Sequence, residues 1–184
     1  MSAKTDFRKA IRSEIRMLPQ AYLKATDAAI AERFLQLSEF KNAKRIFAYL
    51  SVGREVDTKQ IITHAIENGK EVFLPVVLGD GIMEFAQFES LESLLAGSLH
   101  IPEPDVSAVR AIPCADDLII VPGLCFDNDK YRMGQGGGYY DRYLAKHSAI
   151  SVGVAREQLM PNAVPRETHD LPVDLLITET RTIR

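Results

Sequence analysis

Four aliphatic residues in a row, Leu118-Ile119-Ile120-Val121, stop abruptly at Pro122-Gly123. A strand with one wet face alternates apolar and polar side chains, so this unbroken run predicts a strand covered on both faces, as inside a parallel sheet. Parallel neighbours need crossover connections, usually helices, and the flanking sequence supplies them. Arg45 to Leu50 reads as a strand, Thr58 to Asn68 as a helix closed by Gly69, and Glu71 to Pro75 as a second strand, which together make a βαβ unit. Met83 to Phe88 alternates like a strand with one exposed face, and Ile150 to Ala155 and Leu175 to Thr178 read as further strands. Leu91 to Leu95 reads as one or two helical turns, and the proline-containing stretch Ile101 to Pro113 as a surface excursion. The pattern predicts a three-layer α/β domain with a mostly parallel central sheet, whose ligands bind beyond the carboxyl ends of the strands.

Ahead of the sheet, Phe7, Ile11, Ile15 and Leu18 recur at helical spacing, while Lys4, Arg8, Arg12 and Arg16 form a cationic stripe on another face. Pro19 opens a second helix with Ile30, Phe34 and Leu37 on its inner face, and the two helices predict an N-terminal helical hairpin. At 184 residues the chain has material for one substantial core, so a single domain over residues 1–184 is expected. Its 22 Lys and Arg against 25 Asp and Glu give a formal charge of -3, which exerts no global pull on nucleic acid and leaves any basic site local. No stretch approaches the roughly 20 apolar residues of a membrane-spanning helix, and the N-terminus lacks a secretory pattern. A soluble, cytoplasmic, monomeric protein is the expectation. Cys114 and Cys125 lack the close Cys or His partners that zinc requires, and the four histidines form no HExxH pair.

The chemistry concentrates between Val121 and Leu144. Four of the five residues from Gly134 to Gly138 are glycine, which lets a backbone approach a ligand closely and present successive N–H groups to an anion. Arg132 just before them suits a bidentate phosphate contact, and Asp141, in the first turn of the helix opening near Tyr139, suits the divalent cation that accompanies nucleoside triphosphates. Taken alone, these glycines fit a flexible turn equally well, and Asp141 fits a favourable place at a helix N-terminus. No Lys-Ser or Lys-Thr follows the glycines, and they lie too far from their strand for a dinucleotide fingerprint, which disfavours a P-loop or a Rossmann site.

This stretch resembles the signature of the 5-formyltetrahydrofolate cyclo-ligase family, in which PGL and a variable loop precede R-x-G-x-G-x-G-Y-Y-D. Three further segments fall in the family's order: Lys4 to Arg8, Tyr49 to Thr58, and Pro165 to Asp174. The resemblance implies an ATP-dependent ligase that converts 5-formyltetrahydrofolate to 5,10-methenyltetrahydrofolate with Mg2+. It places Lys4, Arg8, Arg132, Gly134, Gln135, Gly136, Gly137, Gly138, Tyr139 and Tyr140 around ATP. Leu50, Glu55 and Tyr139 fall against the folate, Asp141 and Asp174 on magnesium, and Arg132, Tyr139 and Asp141 at the reacting centre. It further implies that ATP phosphorylates the formyl oxygen, after which N10 of the substrate attacks the same carbon and phosphate leaves. Without it, the stripe reads as a solvated face, Glu55 as a loop acid and Tyr139 as core. One departure stands out: some family members carry a basic residue where this chain has Gln135 and Gly137, and Lys130 or Arg142 are the candidates to replace it. Two rivals stay open, another phosphate-handling enzyme of this fold and a paralogue that binds folate or nucleotide without turnover.

Overall fold

The computed structural model describes residues 3–79, 81–90, 94–96, 102–105 and 107–184. In chain order its elements are α1 (Ala3–Met17), α2 (Gln20–Leu35), α3 (Ser38–Asn42), β1 (Arg45–Phe47), α4 (Lys59–Glu67), β2 (Glu71–Gly79) and β3 (Ile82–Phe88). There follow β4 (Leu95–Ala96), β5 (Pro102–Glu103), β6 (Arg110–Ala111), β7 (Leu118–Val121), β8 (Cys125–Phe126), β9 (Arg132–Met133), α5 (Tyr139–Leu144), β10 (Ile150–Val154), β11 (Leu175–Ile177) and β12 (Thr182–Ile183). Eight strands form one sheet in the order β12-β11-β10-β7-β1-β2-β3-β6. The neighbours from β11 to β2 run parallel, whereas β12, β3 and β6 pair antiparallel to their neighbours at the two edges.

The aliphatic run lies inside the sheet as its composition predicts, with every residue of β7 fully buried. Leu118 and Ile120 face a core shared with α2, α3 and α4, while Ile119 and Val121 face a second core that holds Phe47, Phe73, Phe85 and Tyr143 of α5. Helices on both sides of one sheet make the three layers. The N-terminal helices follow one another across Leu18 and Pro19 but bury different faces. Ile11 of α1 packs with Leu124, Cys125, Met133 and Leu159, whereas Ile30 and Phe34 of α2 pack against the sheet.

Three boundaries differ from the sequence reading. β1 ends at Phe47 rather than Leu50, because the chain leaves the sheet at Ala48 to form a loop in which the buried Thr58 hydroxyl donates to Tyr49 O at 2.6 Å. β2 runs through Pro75 to Gly79; Pro75 lies beyond the last β1 pair, Phe47 with Phe73, and faces Phe85 on the other side. The excursion after Ile101 contributes β6 to the sheet edge as well as β5, which pairs with β4. The helical turns expected at Leu91 to Leu95 fall on residues 91–93, outside the described residues, and Leu95 belongs to β4.

The direction of the crossovers reverses between β1 and β7: β1 leads through α4 to β2 on one side, while β7 begins the half of the sheet on the other. A crevice opens beyond the carboxyl ends of two strands that diverge in this way. Tyr49 and Leu50 after β1, and Pro122 and Gly123 after β7, line such a crevice.

Candidate active site

The crevice is a cavity of about 750 Å³. It is lined by the loops after β1 and β7, by the β2–β3 hairpin with Leu74, Pro75, Val77 and Met83, and by the glycine loop with α5. Lys4 and Arg8 reach it from α1, and Glu167, His169 and Asp170 from the segment before β11.

The glycine loop is held by its carbonyls. Arg8 Nε donates to Gly134 O at 2.9 Å, an Arg12 guanidinium nitrogen to Gln135 O at 3.3 Å, and an Arg142 nitrogen to Gly137 O at 2.6 Å. With those carbonyls engaged, the backbone N–H groups from Gly134 to Gly138 have no acceptor among the described residues. Gly136 and Gly138 adopt positive φ, 110° and 66°, which a side chain would strain. Gly137 is required for another reason: an added Cβ would stand 2.8 Å from the Tyr139 ring. A run of free N–H groups flanked by guanidinium and ammonium groups is a site for a polyanion.

Two of the cations in the cavity, Lys4 and Arg132, are paired with carboxylates. Lys4 Nζ donates to Asp170 at 2.6 Å and lies 3.4 Å from Glu167. Burial acts to raise the Asp170 carboxyl, but Lys4 and the Glu167 N–H outweigh it and hold the group below its usual range. Arg132 is buried, donates to Leu171 O at 3.1 Å and pairs with Asp141 Oδ1 at 2.6 Å. Its burial disfavours the charge that Asp141 supports. Asp141 Oδ2 is bonded to no described residue. Among the described residues no three His, Cys, Asp or Glu side chains gather to hold a metal alone. Magnesium, however, keeps its waters and takes one or two carboxylates together with phosphate oxygens, so a half-free Asp141 carboxylate beside the glycine loop fits an ion that arrives with a triphosphate.

Glu55 sits in the loop after β1. The buried Arg156 fixes it by donating to the carbonyls of Arg54 and Glu55 at 3.1 and 3.3 Å while pairing with Asp27 at 2.5 Å. The Glu55 carboxylate accepts from Val52 N at 3.0 Å, yet burial raises its pKa, and Val52 and Gln135 offset this only in part. A desolvated acceptor facing a cavity favours a ligand with N–H donors.

The chain matches the 5-formyltetrahydrofolate cyclo-ligase family over residues 1–179. It belongs to that family. A Schizosaccharomyces pombe relative named probable 5-formyltetrahydrofolate cyclo-ligase is 32% identical, covering 98% of this chain and 97% of its own. The Mus musculus 5-formyltetrahydrofolate cyclo-ligase is 30% identical over 97% of this chain and 94% of its own. The NMR structure of Aquifex aeolicus 5,10-methenyltetrahydrofolate synthetase superposes with a TM-score of 0.88 at 32% identity, covering all of this chain and 93% of that one.

In this cyclo-ligase family member, the cavity brings together Lys4, Arg8, Leu50, Glu55, Arg132, Gly134 to Gly138, Tyr139, Tyr140 and Asp141 from three separate segments. Asp174 is placed elsewhere. Its Oδ2 accepts from Ser151 N at 2.8 Å and Ser151 Oγ at 2.6 Å, it stands before β11 at the amino end of that strand, and it does not line the cavity. Lys130 is also turned away, with Nζ on Asp174 O at 2.9 Å, whereas Arg142 lies over the Tyr139 ring at 5.6 Å and touches the loop. Sequence reasoning missed the β2–β3 wall, which carries no motif, and gave no role to Tyr49, although it opens the matched segment Tyr49 to Thr58, or to Asp170. The signal for Asp170 is its place in the matched segment Pro165 to Asp174.

Proposed function

We propose that this chain closes 5-formyltetrahydrofolate to 5,10-methenyltetrahydrofolate at the expense of ATP, releasing ADP and phosphate. One observation carries the reading: a single cavity joins the free N–H groups of Gly134 to Gly138, flanked by Lys4, Arg8 and Arg132, to the half-buried carboxylate of Glu55. The loop and cations suit a triphosphate, and Glu55 suits the amide and amine N–H groups of a pterin, with Tyr139 and Leu50 against its rings. Family membership supports both halves.

The chemistry follows from this placement. The formyl oxygen attacks the γ-phosphorus as the bond to ADP breaks. N10 then attacks the formyl carbon, loses its proton, and the phosphate departs with the former formyl oxygen. The substrate supplies both nucleophiles, so the protein contributes alignment and charge neutralisation. Arg132, Lys4 and Arg8 meet the phosphates, and Asp141 would hold magnesium, which supplies further neutralisation of phosphate charge when bound. Asp174 has no part in this reading.

The test is absorbance in the near ultraviolet, where the methenyl product absorbs, with 5-formyltetrahydrofolate, ATP and magnesium each omitted in turn. Product that needs all three supports the proposal. No product despite binding of both ligands would make the chain a non-catalytic paralogue. A monomeric, cytoplasmic enzyme belongs to the same proposal and is checked by sedimentation and cell fractionation.

A further inference from the structure

Tyr140, in the first turn of α5, lines the cavity, but its hydroxyl is sealed from solvent and has no hydrogen-bond partner among the described residues. A buried hydroxyl left unsatisfied costs about 1–3 kcal/mol, so folding alone gives no reason to prefer it to phenylalanine. The ring is fixed by an edge contact with Phe85, at 6.5 Å between centroids. Tyr140 lines the same cavity as Glu55 and Arg132, the two groups that face folate and phosphate in the proposed reading. It therefore belongs to the region where the two substrates must meet. A phenol carries one O–H, so the group can act as a donor.

We propose that the Tyr140 hydroxyl is a catalytic donor that hydrogen-bonds an oxygen of the phosphoryl group while that group passes from ATP to the formyl oxygen. This goes beyond a contact with bound ATP and rests on the cyclo-ligase reading above. The phenol keeps its proton throughout: the phosphorus–oxygen bond to ADP breaks, the bond to the formyl oxygen forms, and the donor bears on the charge between them. A donor engaged mainly in the transition state raises kcat without tightening either substrate.

Tyr140→Phe keeps the ring and removes only the hydroxyl. The variant is expected to unfold at the wild-type temperature or slightly above it, because no protein bond is lost. KM for ATP and for 5-formyltetrahydrofolate should stay within about threefold, while kcat falls roughly 10²-fold, the scale of one lost transition-state donor. In a single turnover, ADP formation should slow as much as methenyl formation. A wild-type kcat, a lower unfolding temperature with parallel loss of activity, or ADP formed at the wild-type rate would each overturn the assignment. If the wild-type protein itself makes no product, the cyclo-ligase reading falls and this inference with it. An active wild type with an equally active Tyr140→Phe variant removes this inference alone.

Discussion

Replacing Asp141 with alanine should damage stability and catalysis by separable amounts. The carboxylate is the only described partner of one Arg132 nitrogen, and that guanidinium is only 4% exposed while the Asp141 side chain is 24% exposed. Removing one member of a fully buried pair costs about 3–5 kcal/mol. Here the carboxylate is half open to the cavity and Arg132 keeps the Leu171 carbonyl, so about 2 kcal/mol is the reasonable share. For a chain of this size each kcal/mol moves the midpoint by about 2–4 °C, which gives a fall in Tm of about 4–8 °C. Asp141→Asn retains an oxygen to accept from Arg132 and should lose less than half of that. Both variants lose the anionic oxygen proposed for magnesium, so turnover should drop roughly 10²-fold or more in each. Thermal unfolding followed by circular dichroism and the methenyl absorbance assay read the two effects independently. An alanine variant with wild-type Tm would show that Arg132 does not depend on this partner, and an asparagine variant with wild-type turnover would refute the metal role.

Glu55→Gln tests a conflict between binding and folding. Because burial raises the Glu55 pKa above 4.5, its ionised form opposes folding: stability from this group is full below its unfolded pKa and is lost as pH rises through the raised folded value. The glutamine variant escapes that loss, so its Tm should match wild type in acid and equal or exceed it at neutral pH, while KM for 5-formyltetrahydrofolate rises; a lower Tm at neutral pH would contradict the argument. Gly137→Ala places a methyl 2.8 Å from the Tyr139 ring in an exposed loop and should raise the folate KM roughly tenfold with little change in Tm, which steady-state kinetics checks. Asp174→Ala removes the acceptor of Ser151 N and Oγ and should cost about 1–2 kcal/mol in denaturant unfolding with the magnesium titration unchanged. A shifted magnesium requirement at wild-type stability would return Asp174 to the metal.

What the sequence revealed is what neighbouring residues decide. The run Leu118 to Val121 has no polar position to present to water, so its two-sided burial is a property of four adjacent side chains. The glycine loop is legible for the same reason, since positive φ at Gly136 and Gly138 is a local demand. What stayed hidden depends on residues far apart in the chain. Arg12 pins the loop from 123 positions away, a role its place in the cationic stripe does not mark, whereas Arg142, five positions off, is a candidate the resemblance already supplies. Pro75 reads as a strand end because its tolerance follows from where β1 stops, a fact about another segment. Asp170 and Asp174 are both acids before a terminal strand, and only the path of the chain aims the first at Lys4 and the second at Ser151.

Under the proposed function, the pairing in the cavity favours a nucleotide and a divalent cation that bind as one unit. Four cationic side chains, Lys4, Arg8, Arg132 and Arg142, line it beside four acids, Glu55, Asp141, Glu167 and Asp170. Without ligands, Lys4 is held by Asp170 and Glu167, and Arg132 by Asp141, so neither cation offers its full charge to a phosphate. A bare triphosphate would compete with those carboxylates and meet their repulsion at close range. A triphosphate that carries a divalent cation gives the displaced carboxylate a new partner, and the exchange of ion pairs becomes nearly balanced. The net favourable contribution then falls to the N–H groups of Gly134 to Gly138, which give up no described protein partner when an anion arrives. On this account the glycine loop supplies the affinity, and the paired side chains supply the discrimination between metal-bound and free nucleotide.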